Sequence, residues 1–231
     1  MKRPPDSREA ILAAAVAEFA LHGFRGATVD AIARRARLNK AMIYYHFDDK
    51  LALYLEILRG VFTAVRDSSA AIVASPVAPP QKIAAFIDAF EAEADKRPYL
   101  PRLMMLEIAD GARHLDPPTL RVMLGIFQNL RAILEEGRAA GVFRPVNPVV
   151  TYFSIIGPMM FFRAAAPVRE LVSRLDIEES FRMDTAAFAD HLKVAALQTL
   201  APSVGAPANA AKPRPARARG KGRAAKTGDR T

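Results

Sequence analysis

A short stretch of the sequence, KAMIYYH at residues 40–46, brings together side chains that could read the edges of DNA bases. A lysine ammonium at the start of a helix can donate to guanine O6 or N7, and apolar groups beside it can contact thymine methyl groups. A helix over this stretch leaves six side chains on or near its outer surface, from which they could enter a major groove. These are Lys40, Ala41, Met42, Tyr44, Tyr45 and His46.

Two short amphipathic helices, predicted at residues 29–36 and 40–46, must position this surface. Thr28 can cap the first helix and Asn39 the second, because their side-chain oxygens can accept from the free N–H groups of a first turn. The apolar interface that sets the crossing angle consists of Val29, Ile32, Ala33, Leu38 and Ile43. Two helices joined by about three residues have the size of a helix-turn-helix.

The helices on either side complete this N-terminal region. The preceding helix begins at Asp6, with Glu9 reaching back to its start, and ends at Gly23, which tolerates a positive φ. A longer helix begins near Asp48 or Lys50, and the Lys50 ammonium can reach a phosphate without reading the base sequence. The aromatic side chains assigned to the core are Phe24 and Phe47.

Roughly the first 60 residues resemble the DNA-binding domain of the TetR family of regulators. The residues that carry this resemblance are ILAAA at 11–15, Phe19, His22-Gly23-Phe24, Thr28-Val29, Ile32-Ala33, IYYHF at 43–47 and Lys50. The rest of the chain resembles the family in being all-helical and of the expected length.

The resemblance assigns roles to individual residues. It implies that Thr28 and Lys50 hold phosphates. Tyr45 and His46 then lie along the DNA backbone. The residues implied to face base edges are Lys40, Ala41, Met42 and Tyr44.

Two residues depart from the family pattern. Arg37 stands where the family usually has a glycine in the turn, and a left-handed conformation there costs a non-glycine residue roughly 1 kcal/mol. Arg37 could also add a phosphate contact. Met42 stands where the family often has threonine, so one backbone contact through a hydroxyl is missing.

The distribution of charge favours a polyanionic partner at the two ends of the chain. The formal net charge is +9, with three surplus basic side chains in residues 1–60, one surplus acidic side chain in 61–200 and seven surplus basic ones in 201–231. Cysteine is absent, which excludes disulfides and thiolate chemistry and suits a reducing compartment. The N-terminus lacks the apolar core of a signal peptide. We therefore expect a cytoplasmic, nucleoid-associated protein without a membrane partner.

Helical periodicity continues to residue 200, so the predicted fold class is all-α. We expect a helix-turn-helix DNA-binding domain at 1–50, a larger helical effector-binding and dimerisation domain at 51–200, and a disordered basic tail at 201–231. The predicted helices of the second domain lie at 81–96, 100–109, 119–140, 148–166 and 185–200. The last two are the most apolar and are the candidate dimer interface, which the family resemblance also suggests.

The second domain is rich in large, flexible apolar side chains. They either fill a packed core or line an apolar effector cavity, and the resemblance to the TetR family implies a cavity. Pro158 should deprive the Ser154 carbonyl of its usual donor, producing a kink that gives a ligand both room and an acceptor. The candidate ligand-binding residues are Phe86, Phe90, Met104, Met123, Phe127, Ser154 and Met159.

Three polar residues, Glu107, Asp110 and His114, fall at spacings that share one helix face. They could bind a metal ion or anchor a polar ligand group, and the alternative is a solvated trio. No metal site and no cofactor is assigned, since a metal needs further ligands and an ordered outer shell.

The sequence predicts a DNA-binding transcriptional regulator that works as a homodimer. It contains no Gly-rich phosphate loop, Gly-x-Ser-x-Gly elbow or His-Glu-x-x-His motif, so an enzyme is not expected. We expect a repressor that a small, largely apolar effector releases from a palindromic double-stranded operator. The alternative is a constitutive or architectural DNA-binding protein without an effector.

Overall fold

The computed structural model describes residues 7–202, and all regular structure in that range is helical. This confirms the all-α prediction. A 3₁₀ turn at Glu179–Arg182 precedes the last helix. The α-helices are α1 (Ser7–Gly26), α2 (Val29–Ala36), α3 (Lys40–His46), α4 (Lys50–Ala74), α5 (Pro79–Lys96), α6 (Leu100–Ala109), α7 (Pro117–Ala139), α8 (Pro148–Ala164), α9 (Ala166–Arg174) and α10 (Thr185–Leu200).

Most predicted helix bounds agree with the structure, because caps and prolines mark them. Asp184 caps α10 by accepting from the Ala187 amide at 2.8 Å, and Asn147 caps α8 in the same way. The predicted helix 148–166 is wrong at its end: the chain bends after Ala164 and α9 begins as a separate helix. The predicted cap of the first helix, Asp6, and most of the predicted tail lie outside the described residues.

The N-terminal head consists of α1, α2 and α3 and packs against the first turns of α4. Its core is apolar and closely packed around Phe19, Ile32 and Ile43, all fully buried, with Phe47 beside them. Gly23 has φ 66° and ψ 179°, which interrupts α1 where the sequence predicted its end. A left-handed φ of this kind favours glycine because a Cβ would clash with the backbone.

The helical body is built around α4, which packs along α7 and α5. The last helix, α10, packs on α5 and α8, while α8 also contacts α6 and α7. The fully buried side chains of the body include Ile83, Ile87, Leu103, Leu130 and Ile133. The body therefore has a filled apolar core rather than an open interior.

Several large apolar side chains remain exposed along α8 and α9. Phe161 and Val150 on α8 and Leu171 on α9 are at least half exposed, and α9 has no buried residue. Within residues 7–202 no single helix is long and apolar enough to cross a membrane, although α8 and α9, bent by 50°, pass that test of length and composition as a pair.

Candidate nucleic-acid interface

The outer face of α3 presents four side chains to solvent, here called the reading surface. Tyr44 is 51% and Tyr45 79% exposed, although both are large and aromatic. The Asn39 side chain starts α3 by accepting from the Ala41 amide at 2.9 Å. The reading surface consists of Lys40, Ala41, Tyr44 and Tyr45. A seven-residue helix with this face outward fits the size of a major groove.

Thr28 and Arg37 hold the two ends of α2. The Thr28 hydroxyl oxygen accepts from the Ala31 amide at 3.1 Å, as the capping prediction requires. Arg37 adopts φ 57° and ψ 38°, the left-handed conformation that a glycine would take. Its amide donates to Arg34 O at 3.2 Å, and the Leu38 amide donates to Ala33 O at 3.0 Å. The turn therefore keeps its geometry with arginine in place.

Met42 and His46 are less accessible than the rest of the predicted DNA-contacting residues. Both are half-buried, and Met42 packs against the core of the head. The His46 ring is tied to α1, since its Nε2 lies 2.7 Å from Ser7 Oγ. The expectation that Met42 stands on the outer surface is thus met only in part, because its side chain packs against the apolar core of the head.

Lys50 is held by the head itself. Its Nζ donates to the carbonyl oxygens of Phe24 at 2.9 Å and Ala27 at 3.0 Å, and it lies 4.3 Å from the centroid of the Phe24 ring. These contacts join the α1–α2 connection to the start of α4. Two of the three N–H donors of the ammonium are therefore used within the protein. The sequence predicted only a phosphate contact for Lys50 and did not indicate these two carbonyl partners.

A buried polar cluster, here called the junction cluster, joins the head to the body. Glu107 is 2% exposed and accepts from the Tyr54 hydroxyl at 2.9 Å and from the His114 amide at 3.0 Å. The His114 Nδ1 lies 2.9 Å from the same carboxylate, and its ring lies 4.0 Å from the Phe24 ring. Burial, together with the hydrogen bond to Glu107, raises the pKa of the Tyr54 hydroxyl well above its usual value. The junction cluster consists of Phe24, Tyr54, Glu107 and His114.

The prediction that Glu107, Asp110 and His114 share a helix face is wrong. Helix α6 ends at Ala109, and Gly111 and Ala112 take left-handed φ values of 80° and 55° that fold the following turn back. This turn brings His114 to Glu107. The trio is not solvated either, because Glu107 is buried. No group of three or more His, Cys, Asp or Glu side chains in residues 7–202 could hold a metal ion.

The predicted ligand-binding residues do not meet in one cavity. Four of them belong to the packed core and are at most 7% exposed: Phe86, Phe90, Met104 and Met159. Met123 and Phe127 line an apolar groove of about 260 Å³ between α7 and α8. Ser154 lines a different groove, between α8 and α10. Helix α8 continues through Pro158.

Two family models match the chain in its two parts. Residues 11–57 match "Bacterial regulatory proteins, tetR family", and residues 79–184 match "Tetracyclin repressor-like, C-terminal domain". Together these models cover more than half of the sequence.

Known proteins of similar sequence and fold are transcriptional regulators. The chain is 27% identical over 161 residues to the HTH-type transcriptional repressor NicS of Pseudomonas putida, covering 68% of this chain and 74% of NicS. It is 26% identical over 173 residues to the HTH-type transcriptional regulator RutR of Escherichia coli K12, covering 72% and 78%. A tetR-family regulator from Rhodococcus RHA1 shares the fold with a TM-score of 0.68 and 20% identity, over 87% of this chain and all of that one.

The geometry of the head and the two family models therefore agree. The capped helices α2 and α3, joined by a left-handed turn, present a polar and aromatic surface of the size a major groove accepts. The chain belongs to the TetR family and is a DNA-binding transcriptional regulator with a helix-turn-helix head.

Proposed function

We propose that the protein is a homodimeric repressor that binds a palindromic operator and leaves it when a small, largely apolar effector binds. The observation that carries the proposal is the reading surface of α3, whose two tyrosines expose most of their large aromatic side chains to solvent. The similarity to NicS, named as a repressor, supports repression as the outcome. Such a protein acts at the nucleoid.

We propose that the DNA contacts divide between backbone and bases. Thr28, Arg37 and Tyr45 hold phosphates or lie along the backbone, with His46 and the remaining donor of Lys50 beside them. The residues proposed to face base edges are Lys40, Ala41, Met42 and Tyr44. We place the boundary between head and body at residue 50, where α4 begins, and assign 51–200 to effector binding and dimerisation.

A palindromic operator requires two heads, and the exposed apolar surface of α8 and α10 supplies a face for pairing. Val150 and Phe161 on α8 and Val194 on α10 are 54–69% exposed. Burying such side chains stabilises an interface by about 25 cal/mol per Å² of apolar area. Phe161→Glu should therefore yield monomers in sedimentation velocity, whereas Leu106→Glu, at an exposed position on α6, should leave the dimer intact.

The apolar groove between α7 and α8 is the site proposed for the effector. Its lining is aromatic and aliphatic, with Met123, Phe127 and Tyr152 among the side chains, and its volume of about 260 Å³ suits a small compound. Burial raises the pKa of the Tyr152 hydroxyl, so this group stays protonated and can donate to a ligand. An effector that binds only the DNA-incompetent arrangement of the dimer shifts the population away from the operator.

Selection of bound duplexes from a random library tests operator binding, and genomic mapping with the purified protein then locates the regulated genes. A repressor of this kind should recover an inverted repeat. A thermal-shift screen of small apolar compounds, followed by electrophoretic mobility shift with each hit, tests release, since a ligand of the folded state raises the melting temperature. Tight operator binding that none of the hits alters would instead favour the constitutive alternative.

A further inference from the structure

An acidic residue stands next to the reading surface and holds its lysine. Lys40 Nζ lies 3.0 Å from Asp30 Oδ1 and 3.1 Å from Asp30 Oδ2, so the ammonium is shared by both carboxylate oxygens. The two side chains come from the first turns of α2 and α3 and are 70% and 46% exposed, Asp30 more than Lys40. An isolated carboxylate so close to a DNA-binding surface is unfavourable, because phosphates repel it.

We infer that Asp30 and Lys40 together read one G·C base pair in each operator half-site, Lys40 donating to the guanine and Asp30 accepting from the cytosine amine. The inference rests on the proposed sequence-specific binding and adds Asp30 to the residues that determine specificity.

The spacing of the pair matches the spacing of the base pair. Guanine O6 and cytosine N4 are hydrogen-bonded to each other, so in the major groove an acceptor and a donor lie about 3 Å apart. Lys40 and Asp30 offer the complementary donor and acceptor at 3.0 Å. The ammonium has a third N–H, and each carboxylate oxygen has a second lone pair, so both can bind a base edge while remaining paired.

The same chemistry disfavours the other base pairs. A thymine–adenine pair also places an acceptor beside a donor, but thymine carries its methyl group where guanine carries N7. That methyl group would desolvate the Lys40 ammonium without offering it a hydrogen-bond acceptor, which is unfavourable. In the reversed C·G and A·T orientations, the donor of the base pair faces the Lys40 ammonium and its acceptor faces the Asp30 carboxylate. Neither can then form a hydrogen bond with the protein.

The charges of the pair explain why a carboxylate is tolerated at this surface. Asp30 raises the pKa of the Lys40 ammonium through its hydrogen bond and its charge, so the lysine keeps a positive charge beside the carboxylate. Removing Lys40 alone would leave Asp30 unpaired against the DNA. Removing both should therefore cost less than the two single substitutions added together.

The test is in vitro selection from a random duplex library with the wild type, Asp30→Ala, Lys40→Ala and the double variant. We expect G·C at one defined position of each half-site for the wild type, and a loss of about tenfold discrimination at that same position for each single variant, with other positions unchanged. Competition binding to duplexes that differ at that position then measures the loss of affinity of each variant. We expect the loss of the double variant to be smaller than the sum of the two single losses. The inference is overturned if the variants relax different positions, if neither relaxes any, or if the wild type selects another base pair at the position that they share.

Asp67→Ala is the matched control, because it removes an exposed carboxylate that pairs with Arg66 at 2.8 Å on α4, away from α3. It should leave every base preference unchanged, and thermal unfolding checks that all variants fold. If the wild type recovers no preferred sequence at all, the proposed operator binding fails together with this inference. A clear inverted repeat without a position shared by Asp30 and Lys40 overturns the inference alone.

Discussion

The Tyr54 hydroxyl donates a 2.9 Å hydrogen bond to Glu107 Oε2, which joins α4 to α6 where the head meets the body. Both side chains are buried, at 1% and 2% exposure. A buried carboxylate that loses a donor keeps its desolvation penalty without the compensating bond. This single contact therefore contributes to the stability of both parts of the chain.

Tyr54→Phe should lower the free energy of unfolding by about 1.5–3 kcal/mol, the usual range for a hydrogen bond to a charged group. Urea titration at neutral pH measures this loss. Tyr45→Phe is the control, because Tyr45 is 79% exposed and should stay within about 0.5 kcal/mol of the wild type. A Tyr54→Phe variant as stable as the control would show that the hydrogen bond adds nothing.

The same hydroxyl predicts a loss of stability at alkaline pH. The folded state raises the pKa of Tyr54, chiefly by burial, so above about pH 10 the unfolded chain releases this proton while the folded chain retains it. Stability then falls with pH, and Tyr54 contributes about 1.4 kcal/mol per pH unit to the slope. The difference in stability between wild type and Tyr54→Phe should therefore shrink between pH 9 and 11. A constant difference over that range would contradict the assignment.

Two helical glycines should respond to alanine in opposite directions. A Cβ on Gly137 would lie 1.9 Å from the Phe143 ring, so Gly137→Ala should destabilise by about 1–3 kcal/mol through overpacking. A Cβ on Gly60 would meet nothing within 4 Å, so Gly60→Ala should stabilise by up to about 1 kcal/mol through helix propensity. Thermal unfolding of the two variants provides the comparison, and equal shifts would count against the close contact with Phe143.

Lys50→Met separates an internal role of this lysine from a phosphate contact. If the two carbonyl bonds to Phe24 and Ala27 matter, the variant loses about 1–3 kcal/mol of stability. A residue that only held a phosphate would leave stability unchanged and lower the salt dependence of DNA binding by about 0.9 in the log–log slope. Arg131→Met, at an exposed arginine of α7 paired with the exposed Glu135, is the control for stability.

The helices of the head were predictable because local signals define them. The bounds predicted for α2 and α3 agree with the structure, since Thr28 and Asn39 act as caps and Arg37 ends α2. Contacts between distant residues were not predictable in this way. Nothing in the local pattern places Asp30 beside Lys40 or Tyr54 beside Glu107, because those distances depend on how the helices cross.

The body shows what periodicity alone cannot resolve. An apolar stripe predicts which side of a helix faces inward, but a filled core and a cavity give the same stripe. Phe86 and Met159 were therefore assigned to a ligand and lie in the core, while Met123 lines a groove. Helix α9 was missed because its apolar side chains face no core within the subunit, so its boundary lacked the usual inward-facing signal.

The junction cluster also bears on whether the head can exist apart from the body. The Phe24 ring lies 4.0 Å from the tilted ring of His114, which follows α6, and the Lys50 ammonium lies 4.3 Å from the centroid of the same ring. A fragment ending with α4 would leave Phe24 without His114 and Tyr54 without Glu107, so the two parts should melt in one transition rather than two. Exchanging heads between relatives would then require the Glu107–His114 turn to be exchanged with them.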